Sequence, residues 1–491
     1  MFLRFRAHQP IRIGTLSRLS YRGFASDTCS SSPLVSSYIV IGNGPIGASV
    51  AKNLIASLAS TANPRTGDKR RDILVTIIDG SSTGIGSSHS DRARLIRTFD
   101  AEGDLDWTRW NQRSLEAFPE IERVWNNEYN TRNSDAASQE NTTRKRKTFF
   151  KKCGALLIGD EEFVARSKKA AEESSSLSFS LLSPTEYQKI WPYLKPKSGC
   201  DVALFDPSGG IIDPFAFIEA QNHNAMSFCS VPEQTLGETN HRNNGGVRLE
   251  IISDAVTNID SAGATVKLAS GETLAATEKI ILCGGAFSAS LLSDSKLLAN
   301  DSLKLTLPTL RVSKRTVALL EVSTQSAKGI LRDMPTIKYA FGLKEATTKV
   351  SNSADGGEHS RVEAGSVYIL PPVLYPERDG KWFVKIGGGP NDFFEGDVTA
   401  KKELDAWLAT EGNSSSAEWL GEIGKSLLSE VDFESLQSMS CVTTTSTSLG
   451  SNGVVVDDVL GDGRVIAISA CQGKGAGPSD ALGADIVRSI M

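Results

Sequence analysis

Tyr38-Ile39-Val40-Ile41-Gly42-Asn43-Gly44-Pro45-Ile46-Gly47 takes an apolar run into a glycine-rich turn, and a helical pattern leaves it through Val50, Ala51, Leu54 and Ile55. Strand, G-x-G-x-x-G and helix in that order is the context in which three glycines mean a dinucleotide site. Gly42 permits the tight turn, Gly44 lets backbone approach a pyrophosphate, and Gly47 lets the helix pack closely on the strand. Pro45 and Ile46 open the helix, whose free N–H groups and partial positive charge face the phosphates.

Working outward, residues 57–71 read as a lengthened polar loop, and Ile73-Leu74-Val75-Thr76-Ile77-Ile78 reads as a second buried parallel strand ending at Asp79. A carboxylate at that strand end accepts hydrogen bonds from a ribose hydroxyl; a plain turn residue is the alternative. Next comes Ser87-Ser88-His89-Ser90-Asp91-Arg92-Ala93-Arg94-Leu95-Ile96-Arg97, a loop placed to fold over a cofactor, although three arginines so close together also suit a solvated face. Residues 105–124 are expected to be helical and 126–152 to be an exposed charged insertion. Short strands at 247–252, 255–259 and 264–268 form an expected meander. A buried strand at 279–283 then ends in Gly284-Gly285 and returns the chain to the nucleotide sheet. Residues 309–322, 336–343, 365–371 and 382–387 are β-rich and predict an antiparallel sheet. The C-terminal turn Gly473-Lys474-Gly475-Ala476-Gly477-Pro478 precedes a last helix and brings the chain back to the cofactor.

The fold class expected is α/β, a discontinuous Rossmann-like binding domain with an α+β second domain built on an antiparallel sheet. The binding domain takes 36–110, 208–300 and 436–491; the substrate domain takes 111–207 and 301–435; residues 1–35 are a transit peptide and linker. The first 26 residues hold Arg4, Arg6, Arg12, Arg18 and Arg22 with no acidic residue, the composition of a mitochondrial (matrix) targeting segment. A basic tail without targeting meaning is the alternative. A net charge of −5 gives no nucleic-acid footprint, and no apolar run reaches the ~18–20 residues of a membrane span. Seven scattered cysteines show neither disulfide-framework nor metal spacing, so no metal is expected.

These pieces together resemble the D-amino-acid-oxidase-like flavoproteins, nearest the monomeric sarcosine oxidase and pipecolate oxidase branch. The markers, over about residues 36–491, are the glycine motif with Asp79, the Ser87–Arg97 loop, Gly210-Ile211-Ile212-Asp213-Pro214 and Cys283-Gly284-Gly285-Ala286-Phe287-Ser288. The resemblance implies FAD, and oxidation of a small amine or amino acid at a carbon–nitrogen bond by hydride transfer to the flavin. It implies re-oxidation by oxygen or another electron-transfer acceptor. Cys441 matches the cysteine that links covalently to the flavin in the sarcosine oxidase branch; a buried structural thiol is the other reading. Lys385 matches the strand lysine that promotes reaction with oxygen. His89 and Arg97 match loop positions near the flavin and the substrate carboxylate, with Arg94 competing for the family's first arginine.

The substrate side departs from the family. Gly477 stands where a carboxylate-binding lysine is normal, Gly389 where a histidine is, and Thr443 where an aromatic hydroxyl is. A two-point hold on carboxylate would then need Arg97 with Lys474. A catalytically weak scaffold flavoprotein and a 2-hydroxyacid dehydrogenase of the same superfamily are the alternative functions.

Overall fold

The computed structural model describes residues 35–61, 72–80, 90–132, 146–174, 178–229, 246–260, 262–298, 305–306, 309–342, 365–396, 398–446, 453–470 and 473–491. The first 26 residues, read above as a targeting segment, and Ser87, Ser88 and His89 lie outside them.

Ser36–Ile41 is the centre of a six-stranded sheet, flanked by Ile73–Ile78 on one side and Lys279–Leu282 on the other. Val247–Ile252 and Val465–Ala470 extend it in parallel, and Val454–Asp458 closes one edge antiparallel. Val247–Ile252 therefore belongs to this sheet and not to the meander. That meander is a separate sheet of Val256–Ile259, Thr265–Leu268 and Thr273–Ala275 on the opposite face. Four helices, Pro45–Thr61, Leu105–Arg132, Pro214–Ser227 and Ser479–Ile490, pack together over the first face. The central strand is apolar and buried from Tyr38 to Ile41, where both of its faces are covered.

The glycine turn is set by two close approaches. Gly42 has φ +101°, and a Cβ there would lie 2.6 Å from the Cys283 carbonyl oxygen. A Cβ on Gly47 would lie 1.9 Å from the Gly42 carbonyl oxygen, so helix and turn fit only with hydrogen at that position.

The second sheet has nine strands. It runs Asp392–Phe393, Leu310–Val322, Lys381–Gly388, Gly365–Tyr375, Thr336–Phe341, Ala155–Gly159, Val202–Asp206 and Ser180–Leu182, with Leu436–Ser446 also paired to Leu310–Val322. All of its pairings are antiparallel except Thr336–Phe341 with Ala155–Gly159, which the β-rich pattern alone does not distinguish. Residues 436–446, grouped above with the binding segments, are thus a strand of this sheet, held in continuous register from Leu310↔Ser446 to Leu320↔Leu436. The boundary drawn at 110–111 also falls inside a single helix, Leu105–Arg132, which packs on Pro214–Ser227 and Ser479–Ile490. That helix continues through 126–132, where an exposed loop was expected.

Gly210–Ile212 joins the two halves by pairing with both Arg94–Ile96 and Phe150–Lys152. Asp213 then caps the helix that follows, accepting from Phe215 N at 2.9 Å and Ala216 N at 3.2 Å. Gly47→Ala is expected to destabilise the protein by more than the about 1–3 kcal/mol of ordinary overpacking, since the clash is backbone on backbone. Thermal denaturation and retained flavin on purification measure it.

Candidate active site

A cavity of about 830 Å³ runs between the two sheets. Gly42, Gly44, Pro45, Ile46 and Asp79 line one end of it, with Gly284 and Phe287 alongside. Gly47 stands behind them in the helix, buried. The strand ends are tied edge to edge here: Gly42 N donates to Ile78 O at 2.8 Å, and Cys283 N to Ile41 O at 2.7 Å. The residues fit the ADP half of FAD. They combine a turn in which Gly42 and Gly47 leave no room for Cβ, a helix N-terminus, and an acidic residue at the end of the second strand.

In the middle of the cavity the arginine loop meets the second sheet. Lys385 Nζ is ion-paired with Asp91 and donates to Ala93 O at 2.9 Å, with side-chain exposures of 1% and 2% for the lysine and the aspartate. Arg94 Nη1 reaches the same carboxylate at 2.6 Å, and the Tyr375 hydroxyl donates to it at 2.7 Å. One buried negative charge therefore faces two cations. Burial opposes Asp91's charge, but Lys385 and Arg94 overcome it and hold its carboxyl well below the usual range. Burial, with the Arg94 guanidinium nearby, pulls Lys385 down to about 8 against the pull of Asp91. Of the loop's arginines, Arg94 shares Asp91 with Lys385, and Arg92 turns outward to Glu377 at 3.2 Å and over the Phe215 ring.

Tyr368, which nothing in the sequence singled out, lies against Lys385 with the ammonium 5.5 Å from its ring. It faces Gly387 across the sheet, and a Cβ on Gly387 would lie 2.3 Å from its hydroxyl, so that glycine makes room for the ring. Cys441 is half-buried in the same cavity wall, opposite Arg315 in strand register, and its carbonyl accepts from Trp407 Nε1 at 2.8 Å.

Arg97, Asp100, Glu102, Trp107, Lys338 and Lys474 form the far wall, with Gly473 and Gly475 beside them. Lys474 Nζ lies 2.8 Å from Asp100 and 2.5 Å from Glu102. Against burial, Lys474, Lys338 and Arg97 hold Glu102 down to about 2, whereas burial and the charge of Glu102 push Asp100 up. Burial, with Arg97 and Lys474, brings Lys338 down to about 8.

Two of the unusual substrate-side residues, Gly389 and Gly477, have a steric account. Gly389 has φ +82°, and a Cβ there would meet the Trp419 ring at 2.9 Å. A Cβ on Gly477 would be 3.1 Å from Ile96. Arg315 spans the other two positions, donating to Thr443 Oγ1 at 3.2 Å and to Gly389 O at 2.8 Å.

Comparison with known proteins agrees with this geometry. The FAD dependent oxidoreductase family, DAO, matches residues 37–488. The chain belongs to that family. Comparison with curated proteins finds no match. Among solved structures the oxidoreductase is similar in fold to NikD, an unusual amino acid oxidase essential for nikkomycin biosynthesis (TM-score 0.58, 15% identity, 92% of this chain and 94% of that one). L-proline dehydrogenase from P. horikoshii is comparable, at TM-score 0.57, 16% identity and 94% of each chain. Glycine oxidase from Bacillus cereus follows at 0.54, 15% identity, with 93% and 94% covered.

Asp91→Asn should cost this oxidoreductase about 3–5 kcal/mol, because it leaves Lys385 and Arg94 buried without a counter-charge. Glu377→Gln, which removes a half-exposed partner of Arg92, should cost about 0–1 kcal/mol. Urea unfolding of the two variants against the parent protein makes the comparison.

Proposed function

We propose that this protein oxidises the carbon–nitrogen bond of a small amino acid or amine, with molecular oxygen as the final acceptor. The observation that carries the reading is the buried Lys385 ammonium, held by Asp91 and facing the same cavity as the glycine turn. Bound FAD supplies the two-electron acceptor chemistry, and the protein supplies binding, orientation and electrostatics.

Arg97 binds the substrate carboxylate. Its Nη1 is buried in the cavity wall without a hydrogen-bond partner among the described residues, a cost that an anion relieves. Tyr368 and Thr443 border the reacting centre and narrow it. Lys385 keeps a positive charge where negative charge develops on an oxygen molecule, and Asp91 with Ala93 O fixes the direction of that charge before any reaction begins. Cys441 in the cavity wall is the proposed covalent anchor of the flavin. No observation favours the scaffold alternative. The mitochondrial matrix is the proposed compartment, supported by the arginine-rich, acid-free first 26 residues; import of a tagged chain should fail when they are deleted.

Anaerobic mixing with a panel of primary and secondary amino acids, amines and hydroxy acids should bleach the flavin with an amino-acid member. Bleaching only by hydroxy acids, or by nothing, overturns the reading. Lys385→Met should slow re-oxidation by oxygen while leaving anaerobic reduction near the parent rate. Because an ammonium loses its charge as pH rises, oxygen reactivity of the parent should decline through about pH 8 and that limb should vanish in the variant. Flavin fluorescence should stay with the denatured polypeptide on a gel and be lost in Cys441→Ala.

A further inference from the structure

The far wall of the cavity carries one more cationic than anionic side chain. Lys474, which the sequence offered as the second half of a carboxylate clamp, is already engaged by Asp100 and Glu102 and lies over the Trp107 ring at 5.7 Å. It makes the short ion pairs to both acids, so Arg97 and Lys338 act on Glu102 only at longer range. Arg97 keeps a buried nitrogen with no acceptor. The Lys338 side chain makes no hydrogen bond or short ion pair among the described residues.

These two free cations come from different elements. Arg97 follows the short strand Arg94–Ile96. Lys338 belongs to Thr336–Phe341 of the large sheet, directly opposite Tyr368, which in turn is opposite Gly387. Alternation along strands puts Lys338, Tyr368 and Lys385 on one face, and all three line the cavity. Lys338 therefore stands on the same side of the cavity as Lys385, one row further along.

Charge balance narrows what fits. Arg97, Lys338 and Lys474 set against Asp100 and Glu102 leave one uncompensated positive charge in a half-buried wall. A zwitterionic amino acid with a neutral side chain brings no net charge and leaves that excess in place. One bearing a second acidic group brings a single negative charge and cancels it. Isolated charge is costly at such a site, so the wall discriminates between the two.

We infer that the substrate is an amino acid carrying a second carboxylate or comparable anionic group, with Arg97 on the first carboxylate and Lys338 as the specificity-determining contact to the second. This rests on reading the cavity as an amino-acid-oxidising site, and it goes further by naming the substrate class. Burial lowers the affinity of Lys338 for its proton even with Glu102 and Asp100 acting against it, and an anion placed on the ammonium raises it again.

The test separates binding from turnover. Titrate the purified flavoprotein with acetate, propionate, succinate and glutarate, following the flavin absorbance. The dicarboxylates should bind at least tenfold more tightly than the monocarboxylates. Lys338→Met should abolish that preference while leaving monocarboxylate affinity unchanged, Lys338→Arg should retain much of it, and Arg97→Met should weaken both classes. Unchanged flavin absorbance and circular dichroism check that each variant is folded. Equal affinity for mono- and dicarboxylates, a preference that survives Lys338→Met, or equal weakening of both classes in that variant each overturns the inference. If dicarboxylates bind as expected but no amino acid bleaches the flavin anaerobically, the oxidase reading fails while the assignment of Lys338 stands.

Discussion

The Asp91 carboxylate is the point on which the site depends. It is buried, and it accepts from three elements at once: Lys385 on one strand of the large sheet, Tyr375 on its neighbour, and Arg94 three residues along its own loop. Taking these groups out of water costs several kcal/mol per ion, and the cost is recovered only where every partner is correctly placed. The loop is thereby locked to the sheet in one geometry. The same lock aims the two cations into the cavity, so stability and electrostatic pre-organisation come from one contact.

Around that lock the substrate side has been rebuilt by steric exchange. Trp419 occupies the space in front of Gly389, Ile96 crowds Gly477, and Arg315 ties Thr443 to the Gly389 carbonyl. A side chain of the usual kind at Gly389 would need both a strained backbone and displacement of an indole. The far wall of the same cavity is lined by the cations Arg97, Lys338 and Lys474.

Much of the frame was legible in the sequence. The glycine turn, the strand leading to Asp79, the Cys283-Gly284 return strand and the β-rich segments all have local signatures: period, turn chemistry and helix starts read within a few residues. Lys385 was visible as a charge interrupting the apolar strand Trp382–Ile386. Lys338, Tyr368 and Arg315 were not, because a single polar residue on a half-exposed strand looks the same whether it faces solvent or a cavity. Asp91 was read merely as part of a loop, since its partners are almost three hundred residues away in the chain.

The sequence by itself determined the dinucleotide-binding unit, because that depends on backbone contacts within one strand–turn–helix, and its resemblance to a flavoprotein family implied the cofactor. Only the tertiary structure decided how the charges are paired. Strand register put Leu436–Ser446 beside Leu310–Val322 and Lys338 beside Tyr368. Proximity then put Lys474 in short ion pairs with two acids and left Arg97 and Lys338 without such a pair among the described residues. Coulomb energy depends on distance in space, and spacing along the chain does not encode it.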